Sequence, residues 1–534
     1  MTSARPLPEA FEPYIWARQV DEVAAAYGLS PAEVLRFDAN TPPLPGVPRV
    51  PIGDSFAGLN DYPEGTYRDL RRAAAGYAGV EPEEVVIGAG ADDLIGLVAR
   101  TFLAPGRRAA VQRPTYPLYA IASGIEGVDA AAVPLDADAL EGFDLVWICN
   151  PANPTGELVD PQSIAVLAGA VPDALFAVDE AYFEYAGSTV VPLVRERPNL
   201  IAIRSLSKAF GFAALRVGYA VAARRVAAEL DRRRAPAPIS SPAARIAAAA
   251  LSEPVLDVES EISERERMRE ALLAAGFDCP RSHANFVYVP VEDGSALAGR
   301  LEAEGLVVRR YPDAIRITPR LPAENDRLLA ALGIEAAPAE ARSALVVRTS
   351  AETSLRVSLL LDGRQRARAR TGVGFLDHLL AQLGFHGGLD LDVVAGGDVG
   401  VDEHHTVEDV MSALGVALRE ALGAREGLTR YGSATVPMDE ARATAAVDLV
   451  RRPHAEVALA FRGDRVGGLA LTLLPHALER FAIEAGCTVH VEASGEDDHH
   501  VAEAAFKALG RALREACSRD GTAGPGQAST KGAL

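Results

Sequence analysis

Lysine is almost missing from this chain. Of its 53 Lys and Arg residues, only Lys208, Lys507 and Lys531 are lysines. Wherever a positive charge suffices the protein uses Arg, so an isolated lysine points to chemistry that Arg cannot perform. Arg stays protonated, whereas Lys can be desolvated to a neutral amine and can form a Schiff base. Cysteine is scarce too. Cys149, Cys279, Cys487 and Cys517 are widely spaced with no CxxC pair, which excludes a disulfide framework and reads as reduced, mostly buried thiols of a cytosolic protein. No 18 apolar residues run together, and the start MTSARPLPEAFEPY has no apolar h-region, so a soluble, cytoplasmic protein with no membrane partner is expected. Positive charge is in deficit: 73 acids give a net charge of −20, which disfavours nucleic acid and anionic membranes as partners. Small anionic substrates remain open, because a local Arg pocket can override net charge. Histidine is lacking from the first part only. His283 is the one histidine before residue 344, and the other nine lie in the last 191 residues.

A chain of 534 residues is too long for one ordinary domain, and with 49% hydrophobic residues it can bury a large core. Residues 8–28 read as an amphipathic helix, followed by the Pro-rich turn LRFDANTPPLP. Residues 66–79 read as a helix. VVIGAGADDLIGLVARTFL reads as strand, Gly turn and helix, which places the N–H groups of Ala91 and Asp92 at a helix N-terminus, a ready anion site. AAVQRPTYPLYAIAS repeats this rhythm, and DLVWICNPANPTG, LFAVDEAYFEY and LIAIRSLSKAF each contain a buried strand. Strands alternating with helices imply a mostly parallel sheet with ligands at the C-terminal strand ends, where Asn153, Asp179 and Lys208 fall.

That set can be read chemically as a pyridoxal phosphate site. The cofactor needs a Lys for its Schiff base, a carboxylate to keep the pyridine nitrogen protonated, donors to the phenolate oxygen and anion contacts for the phosphate. Lys208, Asp179, Asn153 with Tyr182, and Ser205, Ser207 and Arg216 suit those needs, and Tyr116 could stack on the ring. Residues from about 10 to 335 resemble a fold-type-I aminotransferase, most of all histidinol-phosphate aminotransferase, through FDANTPP, DYPEGTYRDLR, GAGADDLI, PTYPLY, NPANPTG, VDEAYFEY, SLSKAFGFAALRVGY, SHANFVYV and IRITPR. The resemblance implies a large mostly parallel α/β domain (about 55–235) and a small domain (1–54 and 236–335). It implies that Arg316 binds the anionic end of each substrate and that Tyr62 reaches a phosphate across a dimer interface. Thr41 stands where the family usually has Glu, and Ala91 where it usually has Ser. Related transaminases and decarboxylases share nearly every motif.

After the helix expected in LPAENDRLLAALGI, the Ala/Pro/Glu-rich stretch at 336–343 reads as a linker. Residues 344–534 contain an internal repeat. FLDHLLAQLG…DEHHTVEDVMSALGVALREAL is echoed by LLPHALERFA…DDHHVAEAAFKALGRALREAC, with single-to-paired histidine separations of 26 and 23 residues. A duplicated α+β unit packed as one domain is expected. HHxxE at a helix start puts the first His and the Glu on one face, while the second His points about 100° away. The adjacent histidines therefore suit two different metals. The candidate ligands are His378, His404, His405, Glu408, His476, His499, His500 and Glu503, with His386, His454 and His490 structural. N/O ligation without thiolate points toward two Mn²⁺ ions per site, with Fe²⁺, Co²⁺ or Zn²⁺ able to occupy them.

This part resembles imidazoleglycerol-phosphate dehydratase through RTSAETSLRVSLLLDG, TGVGFLDHLL, GGDVGVDEHHTVED, GLTRYGSATVPMDEA, GEDDHHVAEAAFKALGRAL and STKG. The resemblance implies that Arg430, Arg452, Ser529 and Lys531 hold the substrate phosphate and that Glu352 is the acid/base. Asp497 replaces a usual Asn. Together the two resemblances imply consecutive steps: dehydration of imidazoleglycerol phosphate to imidazole-acetol phosphate, then transamination with glutamate to histidinol phosphate, in a homo-oligomer. The alternative is a different aminotransferase or PLP decarboxylase fused to the dehydratase. A PLP-sensing regulator is disfavoured by the pI near 5 and the lack of a spare helix-turn-helix segment.

Overall fold

The computed structural model describes residues 7–8, 11–46, 58–335, 337, 339, 341–397, 399 and 402–519. By its contacts the chain forms two compact units. One contains residues 37–299 and 308–319 with the N-terminal stretch to Ala17; the other contains Arg18–Arg36, Arg300–Val307 and everything from Arg320 onward. The sequence places 18–36, 300–307 and 320–335 in the first part, so the division by contacts differs from the division by motif. Among the described residues, no helix is long and apolar enough to cross a membrane.

The first unit is built on a seven-stranded sheet. Its order is Val85–Gly88, Gly218–Ala222, Leu200–Ser205, Leu175–Asp179, Leu145–Cys149, Ala109–Val111 and Ala130–Ala132, parallel except where Gly218–Ala222 runs against both neighbours. The central strands are buried along their whole length, as expected when helices cover both faces. Alternate residues feed two separate cores: Val146 and Ile148 enter one, Leu145 and Trp147 the other. Register sets Cys149 opposite Asp179 and Asp179 opposite Ile203, so the loops that follow these strands open at one edge of the sheet. A three-stranded antiparallel sheet, Arg309–Tyr311, Ala314–Ile317 and Val287–Pro290, carries Arg316. The helix expected over 8–28 is shorter than the sequence suggests. It runs only from Val20 to Tyr27 and stops at Gly28, whose φ is 69°. Residues 11–19 carry no helix; Pro13 lacks an N–H and disfavours helical backbone before it, which accounts only for the residues ahead of it.

The second unit carries two four-stranded sheets of one topology. The first has the order Ser343–Thr349, Thr353–Leu360, Asp390–Gly397 and Ala367–Arg370; the second has Tyr431–Met438, Ala441–Asp448, Thr488–Ser494 and His454–Ala460. In each, the first two pairings are antiparallel and the last is parallel. Four helices lie against the inner faces of these sheets and share one hydrophobic core. They pair across the repeats: His404–Leu422 packs on Leu473–Ala485, and Gly374–Gly387 packs on Asp498–Cys517.

The repeated sequence ALG-x-ALREA acquires a physical meaning at these crossings. A Cβ on Gly415 would lie 2.5 Å from the Phe481 carbonyl oxygen, and one on Gly510 would lie 2.8 Å from the Leu383 carbonyl oxygen. Both obstacles are backbone of the facing helix and cannot rotate away. Overpacking of this kind costs about 1–3 kcal/mol. Gly510→Ala is therefore expected to lower the unfolding free energy of the second unit by about that much in a urea titration.

Candidate active sites

The first site forms where the parallel strands end. Asp179 closes its strand and is buried. Its carboxylate accepts from the Tyr119 hydroxyl at 2.7 Å and from the Ala181 N–H at 3.0 Å. Burial pushes this carboxyl up to about 6, against the pull of those two donors. Lys208 follows the strand Leu200–Ser205 and is enclosed. Burial, reinforced by the Arg316 charge, brings its amine down from 10.5 to about 8. Its Nζ stands 5.6 Å from the Tyr182 ring centroid, and Tyr182 accepts a 2.9 Å hydrogen bond from Asn40. Arg316 is also buried. It donates to Asn153 Oδ1 and to the Asp38 carbonyl (2.9 Å), with its guanidinium 5.1 Å from the Phe286 ring.

Beside this group lies an anion cradle. Helix Ala91–Phe102 begins after Gly90, whose φ is 86°. A Cβ at Gly90 would come 2.7 Å from Arg216 Nη2, so only glycine lets the guanidinium close over the helix start. Arg216 also reaches Asp92 Oδ2 (3.1 Å) and Ser207 Oγ (3.5 Å), while the Ser205 hydroxyl accepts from the Ser207 N–H at 3.2 Å. The Tyr116 hydroxyl donates to Asp92 at 3.2 Å, and its ring meets Tyr14 edge-on at 6.4 Å. A helix N-terminus, an Arg and two serines can take a phosphate monoester. With the enclosed amine and carboxyl nearby, the residues fit pyridoxal phosphate. Tyr62 stands apart, almost fully exposed at 93%.

The second unit gathers its ligand candidates in two groups. His378, His499 and Glu503 form one; His404, Glu408 and His476 form the other; in each, the donor atoms lie within 4.8 Å of one another. Each group mixes the two repeats, a pairing the sequence does not reveal. His404 Nε2 and His476 Nε2 lie 3.3 and 3.2 Å from Glu408 Oε2. His378 Nε2 is buried with no hydrogen-bond partner among the described residues and stands 3.7 Å from Glu503 Oε1, an arrangement that suits a metal ligand. Two imidazoles and a carboxylate at such spacing fit a divalent metal ion. The second histidine of each pair turns away: the His404 and His405 rings are 88° apart, and those of His499 and His500 are 86° apart. His405 lies 3.7 Å from Glu352 instead, and His500 Nδ1 lies 2.9 Å from Glu440. The structure thus brings together six of the eight candidate ligands, and sets Glu352 beside a seventh.

Of the expected phosphate contacts, Arg430 makes a paired hydrogen bond to Asp448 at 2.7 and 3.0 Å, and Arg452 is exposed. Ser529 and Lys531 lie outside the described residues. Several supporting residues escaped the motif reading. Lys507 Nζ lies 2.8 Å from Glu503, and Arg480 Nε lies 3.4 Å from Glu408. Burial tends to raise both carboxyls, yet both sit below the ordinary range, through Lys507 at Glu503 and chiefly His476 at Glu408. The scarcity of lysine that singles out Lys208 applies equally to Lys507. Tyr119 left no comparable signal.

The model of the family "Aminotransferase class I and II" matches residues 33–332, and that of "Imidazoleglycerol-phosphate dehydratase" matches 371–513. An imidazoleglycerol-phosphate dehydratase of Magnetococcus marinus is 49% identical over 195 residues, 36% of this chain and 98% of that protein. The chain belongs to both families. A histidine biosynthesis bifunctional protein HisB of Stenotrophomonas maltophilia is 49% identical over 203 residues, 38% of this chain; the match spans about half, 56%, of that relative's length. The histidinol-phosphate aminotransferase of Sinorhizobium meliloti, solved with pyridoxal 5'-phosphate, superposes with a TM-score of 0.53 at 26% identity, over 61% of this chain and 96% of that one. That of Clostridium acetobutylicum gives 0.52 at 27%, over 56% and 98%. The chain joins a part like the histidinol-phosphate aminotransferases to a dehydratase part.

Two measurements follow. In cofactor-free protein, Lys208 is expected to react with acetic anhydride with a midpoint near pH 8, not near 10.5, read by mass spectrometry of its peptide. Mn²⁺ titration is expected to give two ions per chain, and His499→Ala one.

Proposed function

We propose that this chain catalyses two consecutive steps of histidine biosynthesis. Its second part dehydrates imidazoleglycerol phosphate to imidazole-acetol phosphate, and its first part transaminates that ketone with glutamate to give histidinol phosphate. The observation that carries the reading is the pair of built sites on one chain: an enclosed Lys208 amine beside Asp179 and Arg316, and two groups of imidazoles and carboxylate.

In the aminotransferase part, pyridoxal phosphate supplies an electron sink when bound. Ser205, Ser207, Arg216 and the helix start at Ala91 and Asp92 would hold its phosphate. Asp179 balances the pyridine nitrogen, with Tyr119 and the Ala181 N–H fixing the carboxylate's direction. Asn153 and Tyr182 would bind the ring oxygen, and Tyr116 would cover the ring. Arg316 binds the anionic end of each substrate, glutamate's carboxylate first and the phosphate of the ketone second. Its partners Asn153 and Asp38 hold the guanidinium in place for both. Lys208, poised to be neutral near pH 8, takes the proton from the amine-bearing carbon of glutamate. In the second half-reaction it delivers one to the former carbonyl carbon.

In the dehydratase part, two divalent ions, Mn²⁺ in our reading, supply Lewis-acid polarisation of the substrate imidazole. His378, His499 and Glu503 would hold one, and His404, Glu408 and His476 the other. His405 and His500 complete the set by resemblance. Lys507 and Arg480 orient the two ligand carboxylates. Glu352 moves the carbon-bound proton, and hydroxide leaves as water. Arg430, Arg452, Ser529 and Lys531 bind the substrate phosphate. We read the protein as a cytoplasmic homo-oligomer, with the aminotransferase at 1–335, the linker at 336–343 and the dehydratase at 344–534.

The test separates the halves. Lys208→Ala is expected to lose glutamate-dependent amination of imidazole-acetol phosphate by more than about a thousandfold while keeping metal-dependent dehydration. Glu503→Gln is expected to do the reverse. If Lys208→Ala retains amination, or if imidazole-acetol phosphate does not accept glutamate's nitrogen, the aminotransferase assignment fails. If Glu503→Gln dehydrates normally, the dehydratase site is misplaced.

A further inference from the structure

The duplication supplies an internal control for the outer faces of the two sheets. In the second sheet the outer face is open: Ala441–Asp448 and Thr488–Ser494 alternate buried and exposed residues, with Asp448 and Thr488 half-buried at one end. In the first sheet the matching strand, Thr353–Leu360, is buried on both faces apart from half-buried Ser354. Register gives the equivalences, since Leu360 pairs with Asp390 as Asp448 pairs with Thr488. Arg356, Ser358, Asp392 and Arg368 of the first sheet then correspond to Thr444, Ala446, His490 and Glu456 of the second. The second set is exposed. The first set is a connected polar network.

Arg356 is only 5% exposed. It donates to the Val34 carbonyl at 2.8 Å, to the Ala32 carbonyl at 3.3 Å and to Asp392 at 3.2 Å. Asp392 accepts a second Arg, Arg368, at 2.7 Å. Ser358 donates to Glu324 Oε1 at 2.8 Å, and Glu324, fully buried, accepts Arg320 Nε at 2.7 Å. Ser354 hydrogen-bonds Ser30. Ala32, Val34, Leu328 and Leu329 are buried with them. Every partner on the far side belongs to residues 18–36 or to the helix Pro322–Ala331 and its approach, all within the aminotransferase family match or just before it. A buried Arg is costly unless its donors are met; here Nη1 and Nη2 find acceptors, two of them carbonyls of that segment, while Nε has none among the described residues.

We propose that the outer face of the first sheet is a docking surface built for residues 18–36 and 320–334 of the same chain, and that it holds them without help from the 336–343 linker. The polar network gives the surface its specificity, and the second sheet lacks one because nothing docks there among the described residues.

The test uses the full chain with a specific protease site inserted between Ile334 and Arg342. After cutting, the two fragments are expected to elute together in size-exclusion chromatography. Arg356→Thr, which installs the second sheet's residue, is expected to weaken the association at least about 30-fold. Ser358→Ala should weaken it less, and Thr444→Asp on the second sheet should leave it unchanged. The uncut Arg356→Thr chain should still bind two Mn²⁺, which separates a lost surface from a lost fold. Separation of the cut wild-type fragments, or undiminished association with both Arg356→Thr and Ser358→Ala, would overturn the proposal.

Discussion

Much of the second unit depends on how closely two pairs of helices approach. At Gly415 and Gly510 a helix presses against the backbone of its neighbour, with no room for a methyl group. That approach fixes the depth and rotation of each pair. One pair carries His404, Glu408 and His476; the other carries His378, His499 and Glu503. Ligand geometry is thus inherited from packing some turns away, where backbone meets backbone and adjustment is hardest. Carboxylates are then trimmed by local partners, Lys507 at one group and His476, with Arg480 behind it, at the other.

The first unit solves a different problem. Its site must enclose an amine, a carboxyl and a guanidinium together, and each is costly to bury alone. The solution is mutual compensation. Asp179 draws on Tyr119 and a backbone N–H, while Arg316 draws on Asn153 and a carbonyl. Lys208 is left without an equal partner and drifts toward neutrality. The group that must react is the one whose charge is least supported, which is consistent with its proposed role as a proton carrier.

Much of this was legible in the chain. Asn153, Asp179 and Lys208 stand where hydrophobic runs give way to polar residues, and the structure places them at or just beyond the ends of neighbouring strands. The i, i+4 spacing within HHxxE put His404 with Glu408 and His499 with Glu503, and turned His405 and His500 aside. What the sequence could not express was pairing at a distance. That His378 joins His499 rather than His404 depends on helix packing across the duplication. The cover over the first sheet was equally hidden, because Ser30, Val34 and Glu324 carry no motif. The helix expected over 8–28 is confined to Val20–Tyr27, and Pro13 explains only the loss of helix ahead of it.

The exchange of ligands between repeats has a consequence for origins and for folding. Neither repeat holds a complete group, so a single unduplicated copy could bind an ion in this manner only by pairing with another copy. Duplication would have converted an association between molecules into one within a chain, with the metal sites already lying on the seam. In the present protein an ion held by either group would bridge the two repeats across that seam. Ion binding would then be linked to the closing of the two repeats, each favouring the other.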